Sequence, residues 1–208
     1  YEKKYRIRDY RGSGRASGRE TAARVAAGAV AKKLLANRDV SITAYTLRAA
    51  GISCESIDYD EIEKNPMRAA DPVAAAEMVR RIIALAEEGN SVGGIIECVI
   101  DGVAPGLGDP VFEKLDAEIA RAIMSIGAVK GVEIGSGFAA ADMHGDEHND
   151  WRDERGFMSN NAGGIVGGIS TGQRIVFRAA VKPTSSISIP QKTIDRNGKE
   201  AEIVTEGR

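Results

Sequence analysis

The sequence predicts an α+β fold in which helices and antiparallel strands form mixed layers. Three observations carry this. Helical stretches with apolar or small-residue faces occur in three places, near residues 20–36, 71–89 and 109–126. Runs with a two-residue period lie between and after them. Several connections are too short for the crossovers that parallel strands require. The 208 residues suit one core domain over 1–208. Aromatic residues make up only 5%, so the core must rest on Ala, Val, Ile and Leu.

Residues 20–36 read as a helix whose Ala22, Ala23, Ala26, Ala27, Gly28, Ala29 and Ala31 form a small-residue surface suited to close approach. Residues 39–57 contain short β-like runs. Asp71-Pro72 is a strong helix start, with Asp as cap and Pro at the first helical position. Ala75, Met78, Val79, Ile82, Ile83 and Ala86 continue at helical spacing and Gly89 ends the helix. Residues 91–101 read as a strand with Val92, Gly94, Ile96, Cys98 and Ile100 on one face. Asp109-Pro110 is expected to start another helix by the same device, with a stripe of Phe112, Leu115, Ile119, Ala122, Ile123 and Ile126. Strands are expected at 128–134 and 173–182, a polar loop at 135–160, and alternating turn and strand signals over 183–204.

The balance of charge excludes some functions. A net charge of −2 argues against a general nucleic-acid binder. No apolar run approaches the roughly 20 residues of a membrane helix, and no signal peptide is visible. Two cysteines, Cys54 and Cys98, make no disulfide framework, are expected to be buried and inert, and suit a reducing cytosol. The chain opens on Tyr1 and stops on Gly207-Arg208, and is expected to be a piece of something longer.

Two segments invite an anion. Residues 3–19 hold seven Lys/Arg against the single acid Asp9, interleave Arg8, Arg11, Arg15 and Arg19 with glycines, and run into a helix N-terminus. Glycines free backbone N–H groups to converge on an anion, and arginine supplies planar paired donors. Gly12-Ser13-Gly14 lacks the third glycine of a dinucleotide fingerprint, and no Gly-Lys-Ser/Thr marks a P-loop. The strand at 173–182 puts Arg174, Arg178 and Lys182 in one row, leading into Pro183-Thr184-Ser185-Ser186. The paired glycines of "AGGIVGGIS" (162–170) suit a neighbouring backbone or a flat ligand. In "DMHGDEHND", His144 and His148 have ligand spacing only on a helix, which Gly145 and Asn149 disfavour, so no metal is expected.

Longer stretches carry a family likeness. "RDYRGSGRASGRETAARVAAGAVAKKLL", "VEIGSGFAAADMHGDEHND", "NNAGGIVGGISTGQ" and "KPTSSI" resemble chorismate synthase in sequence and order, over nearly the whole chain. The resemblance implies helical layers sandwiched with antiparallel sheets, incomplete in this chain, and a cytoplasmic homotetramer. It implies a lyase of the shikimate pathway that removes phosphate from 5-enolpyruvylshikimate-3-phosphate by 1,4-elimination, giving chorismate. The cofactor implied is reduced FMN, which some members regenerate with NADPH. Flavin contacts would fall on Arg15, Ala16 and Ser17, on Gly127 and Ala128, on Gly167, on Lys182, Pro183, Thr184, Ser185 and Ser186, and on Arg208. Arg15 would also meet substrate. The family's two acid/base histidines match neither His144 nor His148, so no catalytic residue is assigned and these 208 residues alone are expected to be inactive. No nucleic acid and no membrane are implied as partners. The alternative is a non-catalytic anion- or RNA-binding domain using the two basic segments, against which the low aromatic content and acidic balance speak.

Overall fold

Asp71 shows how closely local sequence governs one element. Its Oδ1 accepts from the backbone N–H of Val73 at 2.9 Å and of Ala74 at 3.0 Å. Pro72 occupies the first turn, where a missing N–H costs nothing, and α3 spans Pro72–Glu87. The helix ends as a Schellman motif: Gly89 (φ 72°) donates to Ala86 at 2.9 Å and Asn90 to Leu85 at 2.9 Å. This computed structural model describes residues 1–9, 12 and 14–205. The expected roles of Arg11 and Arg208 fall outside the described residues.

A short α1 (Glu2–Tyr5) precedes α2 (Thr21–Ala36). Then follow β1 (Ser41–Ala49), β2 (Ile52–Ser53), α3, β3 (Gly94–Asp101), α4 (Leu115–Met124) and β4 (Val129–Ile134). A single helical turn α5 (Gly145–His148) leads to the small hairpins β5–β6 (Arg152–Asp153, Gly156–Phe157) and β7–β8 (Ile165–Val166, Ile169–Ser170). The long β9 (Ile175–Val181) and the hairpin β10–β11 (Gln191–Ile194, Glu200–Ile203) complete the chain. The main sheet has five strands in the order β2-β1-β3-β9-β4, every pairing antiparallel. The mixed antiparallel α+β class expected from the sequence is the one observed.

The period-two pattern of β9 sorts its two faces. Ile175 and Phe177 are buried with Cys98 of β3, and Leu115, Ile119 and Ile123 of α4 pack on them. A second cluster joins Ala74, Ala75 and Met78 of α3 to Ala49 and Ala69. On the opposite face of the sheet the register aligns Tyr45, Glu97, Arg178 and Glu133 across β1, β3, β9 and β4. Small residues let backbones meet in α3 and β1, but α2 buries no residue in this chain, and its Val25, Val30 and Leu34 are exposed.

Three expectations change. Asp109-Pro110 starts no helix: Asp109 and Glu113 exchange backbone hydrogen bonds across a tight turn, and Phe112 points to solvent, 90% exposed. The apolar stripe begins only at Leu115, which is where α4 begins. The stretch 135–160 is no plain loop but a 3-10 turn (Gly137–Ala141), α5 and the β5–β6 hairpin. His144 precedes the α5 turn, where the Glu147 carboxylate accepts its N–H at 2.9 Å, so Gly145 does not prevent a helical turn. Cys98 is buried and Cys54 only half-buried, yet burial raises both thiol pKa values, that of Cys98 to about 11.

Candidate functional site

The segments expected to meet an anion converge only in part. β4 and β9 are neighbours, so the residue before β4 lies beside the residue after β9. The backbone N–H of Lys182 donates to the carbonyl of Ala128 at 2.9 Å. Ala128 follows the end of α4 in the left-handed region (φ 71°), which turns the chain sharply from helix into strand. Gly93 lets the entry to β3 come close: a Cβ there would lie 2.4 Å from the Val181 carbonyl and 3.2 Å from Pro183. Ser91 Oγ then donates to the Thr184 carbonyl at 2.6 Å, and Gln191 to that of Ser185 at 3.3 Å. Gly127, Ala128 and the run Lys182–Ser186 therefore form one exposed edge.

The Gly/Arg segment reaches the same end of the molecule through α2. Arg24, in the first turns of that helix, donates to Ser125 Oγ at 2.8 Å and to the Ser125 carbonyl at 3.1 Å. Ser125 caps α4 two residues before Gly127. Ahead of α2, Gly14–Ala16 and Gly18–Glu20 form two 3-10 turns, Ser17 caps the second, and the Ala16 N–H donates to the Tyr1 hydroxyl at 2.9 Å.

Charge pairing separates the basic residues into two groups. Arg174 forks onto Asp101 at 2.7 and 3.0 Å. Arg178 reaches Glu97 and Glu133, both at 3.1 Å, and the Gly135 carbonyl, while the Tyr45 hydroxyl donates to Glu97. Burial, then that hydrogen bond, pushes the Tyr45 hydroxyl pKa far up, so it stays a donor. Arg174 and Arg178 are thus neutralised by carboxylates on adjacent strands, which corrects their reading as part of an anion surface. Arg15 and Lys182, by contrast, make no ion pair among the described residues, and both are exposed.

Gly167 lies elsewhere. Gly167 and Gly168 (φ 61° and 84°) make the tight turn between β7 and β8, and the Gly168 carbonyl accepts from Leu115 at the start of α4 at 2.8 Å. Ala128 follows the far end of that helix, about 15 Å away at 1.5 Å per residue. Within one chain, Gly167 does not join the Ala128–Lys182 edge. It lines a separate cavity of about 720 Å³, walled by Ile134, Ile165, Val166 and Phe157, with Asp116, His148, Asn149, Asp150, Asn161 and Thr171 as its polar lining.

The remaining paired glycines serve backbone crossing. A Cβ on Gly163 would lie 2.4 Å from the Gly135 nitrogen, and one on Gly135 would lie 2.1 Å from the Asn161 carbonyl. Gly135 donates to Val176 at 2.9 Å and Ser136 to Asn161 at 2.7 Å, so β4 leaves the sheet by passing directly over residues 161–163. Arg24 and Asp150 take structural parts in these two regions that the sequence reading did not assign. Arg24 was one charge among many in a helix, and Asp150 stood in a stretch read as a loop. Among the described residues, no group of three or more His, Cys, Asp or Glu is placed to hold a metal ion, and no helix is long and apolar enough to cross a membrane.

Comparisons with known proteins agree with one another. A family model described as chorismate synthase matches residues 1–208. The chorismate synthases of Syntrophobacter fumaroxidans and Desulfosudis oleivorans are 56% and 55% identical over the whole chain, which covers 59% of each of them. That of Desulfatibacillum aliphaticivorans is 53% identical, with 58% of its length covered. A crystal structure of a chorismate synthase superposes with a TM-score of 0.74 at 38% identity, over 81% of this chain and 57% of that one. The chain spans under three fifths of the length of these relatives, and it belongs to the chorismate synthase family.

Proposed function

We propose that the protein containing this chain is a chorismate synthase that removes phosphate from 5-enolpyruvylshikimate-3-phosphate by FMN-dependent 1,4-elimination, giving chorismate. The observation that carries this reading is the Ala128–Lys182 edge. Two segments far apart in sequence, each matching the family's flavin-contact pattern, are joined there by a direct hydrogen bond.

The donor set fits a phosphate-bearing flavin and an anionic substrate. Among the described residues, Arg15 offers a guanidinium without an ion pair on a glycine-flanked turn, and Lys182 an ammonium bonded only to the Pro183 carbonyl at 3.1 Å. Thr184, Ser185 and Ser186 add hydroxyl donors on an exposed run. Reduced flavin supplies transient electron density to the substrate when bound. The chain's own task is electrostatic. Phosphate departure builds negative charge, which preorganised Arg, Lys and backbone donors stabilise. Arg15 would orient the substrate's anionic groups, and Lys182 would hold charge at the edge of the flavin.

We further propose that the whole protein works as a homotetramer in the cytoplasm, and that residues 1–208 alone make no chorismate. Neither of the chain's two histidines matches the family's acid/base pair. The exposed apolar side of α2 supports self-association. The test is an assay of the purified whole protein with reduced FMN and the enolpyruvyl phosphate substrate, following chorismate and inorganic phosphate together, with residues 1–208 run in parallel.

A further inference from the structure

The Asp150 carboxylate makes a concentrated set of contacts where the chain passes over Gly135. Its Oδ1 accepts from the backbone N–H of Asn161 at 2.7 Å and from Ser159 Oγ at 2.7 Å. Its Oδ2 accepts from the backbone N–H of Ala162 at 2.9 Å. Three donors on four consecutive residues thus close on one side chain from a different element. A carboxylate that accepts several bonds from one segment fixes that segment's path, because each N–H loses a strong partner if the chain shifts.

That path matters to the cavity beside the Gly167 turn. Asn161 and Ala162 line it together with Asp150 itself, Ile134 and Gly167. The Asn161 carbonyl takes the N–H of Ser136 at 2.7 Å, so the same segment also fixes where β4 leaves the sheet. Asn160 completes the clamp: its Oδ1 accepts from Gly164 at 2.7 Å and its Nδ2 donates to the Arg174 carbonyl at 2.8 Å. With glycine on both sides of the crossing, the two backbones are held by hydrogen bonds: the Ser136 hydroxyl donates to Asn161 Oδ1 at 3.3 Å and Asn161 Nδ2 to the Glu147 carbonyl at 3.0 Å, beside the bonds to Asp150 and Asn160.

We infer that Asp150 is a positioning residue for the ligand site: it holds residues 159–162 so that Asn161 and Ala162 form the cavity wall facing the Gly167 turn. This rests on the proposed function together with the family likeness, which implies a flavin contact at Gly167. Because the Gly167 turn does not join the Ala128–Lys182 edge within one chain, the turn and its cavity would meet flavin across the interface of the proposed homotetramer. Asp150 itself acts through its neighbours' backbone and takes no part in proton transfer.

The experiment compares wild type, Asp150→Ala, Asp150→Asn and Asp153→Ala in the whole protein. FMN affinity, kcat and KM are measured, with hydrogen exchange at the Asn161 and Ala162 amides. Misplacing a site wall by about 1 Å can cost on the order of 100-fold. Asp150→Ala is therefore expected to weaken FMN binding and kcat/KM by about 10- to 100-fold, with both amides exchanging faster. Asp150→Asn keeps an acceptor oxygen for Ser159 and Asn161 but none for Ala162, and is expected to weaken FMN binding by a smaller factor, about 5- to 10-fold, with exchange still fast at Ala162. Asp153→Ala, which disturbs only the turn contact to Arg155, is expected to match wild type. The inference is overturned if Asp150→Ala releases both amides yet keeps FMN affinity and turnover within about threefold of wild type. If Asp150→Ala does not fold, Asp150→Asn decides: wild-type affinity with a released Ala162 amide overturns the inference, and weakened affinity supports it. Failure of wild type itself to bind FMN sinks the functional reading and this inference with it, a result separate from any difference among the variants.

Discussion

The backbone N–H of Lys182 donates to the carbonyl of Ala128 at 2.9 Å, joining the end of β9 to the turn that enters β4. The two residues are 54 positions apart, and antiparallel pairing of β4 with β9 makes them neighbours. The proposed function turns on this edge and on the exposed Arg15 ahead of α2, and both can be tested by substitution.

Arg15→Ala in the whole protein is expected to impair catalysis far more than it destabilises the fold. The side chain is exposed and sits on a 3-10 turn with no buried residue, so stability should change by under about 1 kcal/mol. Loss of a charge-assisted contact to a bound anion should lower turnover or FMN affinity by roughly 30- to 1000-fold, equivalent to about 2–4 kcal/mol. Arg15→Lys should rescue only in part, since lysine lacks the planar fork. Steady-state kinetics and FMN titration beside thermal melting check this; near-normal turnover in Arg15→Ala would remove Arg15 from the ligand wall.

Losing an N-cap side chain usually costs about 1–2 kcal/mol, which is the starting point for Asp71→Ala at pH 7. Beyond the α3 cap, Asp71 Oδ2 accepts from Glu55 at 3.0 Å and Ser56 at 3.2 Å, so the loss should lie at or above the top of that range. The backbone donations, led by Ala74 and then Glu55, hold the Asp71 carboxyl down at about 2. A depressed folded-state value means stability present above the unfolded value near 4 and lost as pH falls toward 2. Urea unfolding at pH 7 and pH 3 should show the gap between wild type and Asp71→Ala narrowing at the lower pH. An unchanged gap would contradict the assignment.

Glycine substitutions should divide by surroundings. Gly135→Ala and Gly163→Ala place a Cβ 2.1 Å and 2.4 Å from backbone atoms across the crossing, and both should fail to fold or melt much earlier. Gly167→Ala meets nothing within 4 Å and bears only the strain of its positive φ, about 1 kcal/mol. It should fold, and FMN titration then reads its part in the site. Thermal melting of the three variants decides; a stable Gly163→Ala would contradict the close crossing.

Arg178→Met should destabilise by about 2–3 kcal/mol, less than a fully buried pair because the guanidinium is 22% exposed. It leaves Glu97 and Glu133 half-buried without their cation. Adding Glu97→Gln and Glu133→Gln to that variant should recover more than half of the loss. Chemical denaturation of the single and triple variants measures this, and no recovery would place the cost in lost packing rather than in charge.

What could be read from sequence and what could not follows from the range of the interactions. Asp71-Pro72 was legible because its cap bonds reach only two and three residues ahead. Asp109-Pro110 carries the same dipeptide and misled, because the apolar stripe starts five residues later and the intervening turn closes on Glu113 instead. The alternation of β9 was legible, but the partners of Arg174 and Arg178 were not: Asp101, Glu97 and Glu133 come from strands up to 81 positions away, set by register. The glycine pairs announced a close approach without saying which backbone approaches. Asp150 was hidden because its three donors lie 9 to 12 residues ahead in a stretch with no apolar period.

The central claim is most directly tested by mixing the purified whole protein with FMN and 5-enolpyruvylshikimate-3-phosphate, with the flavin either reduced or oxidised, and following chorismate and phosphate. The account predicts equal amounts of the two products with reduced flavin, no net consumption of the reductant, and no product with oxidised flavin. No chorismate from folded protein with reduced FMN, or equal rates with oxidised FMN, would contradict it.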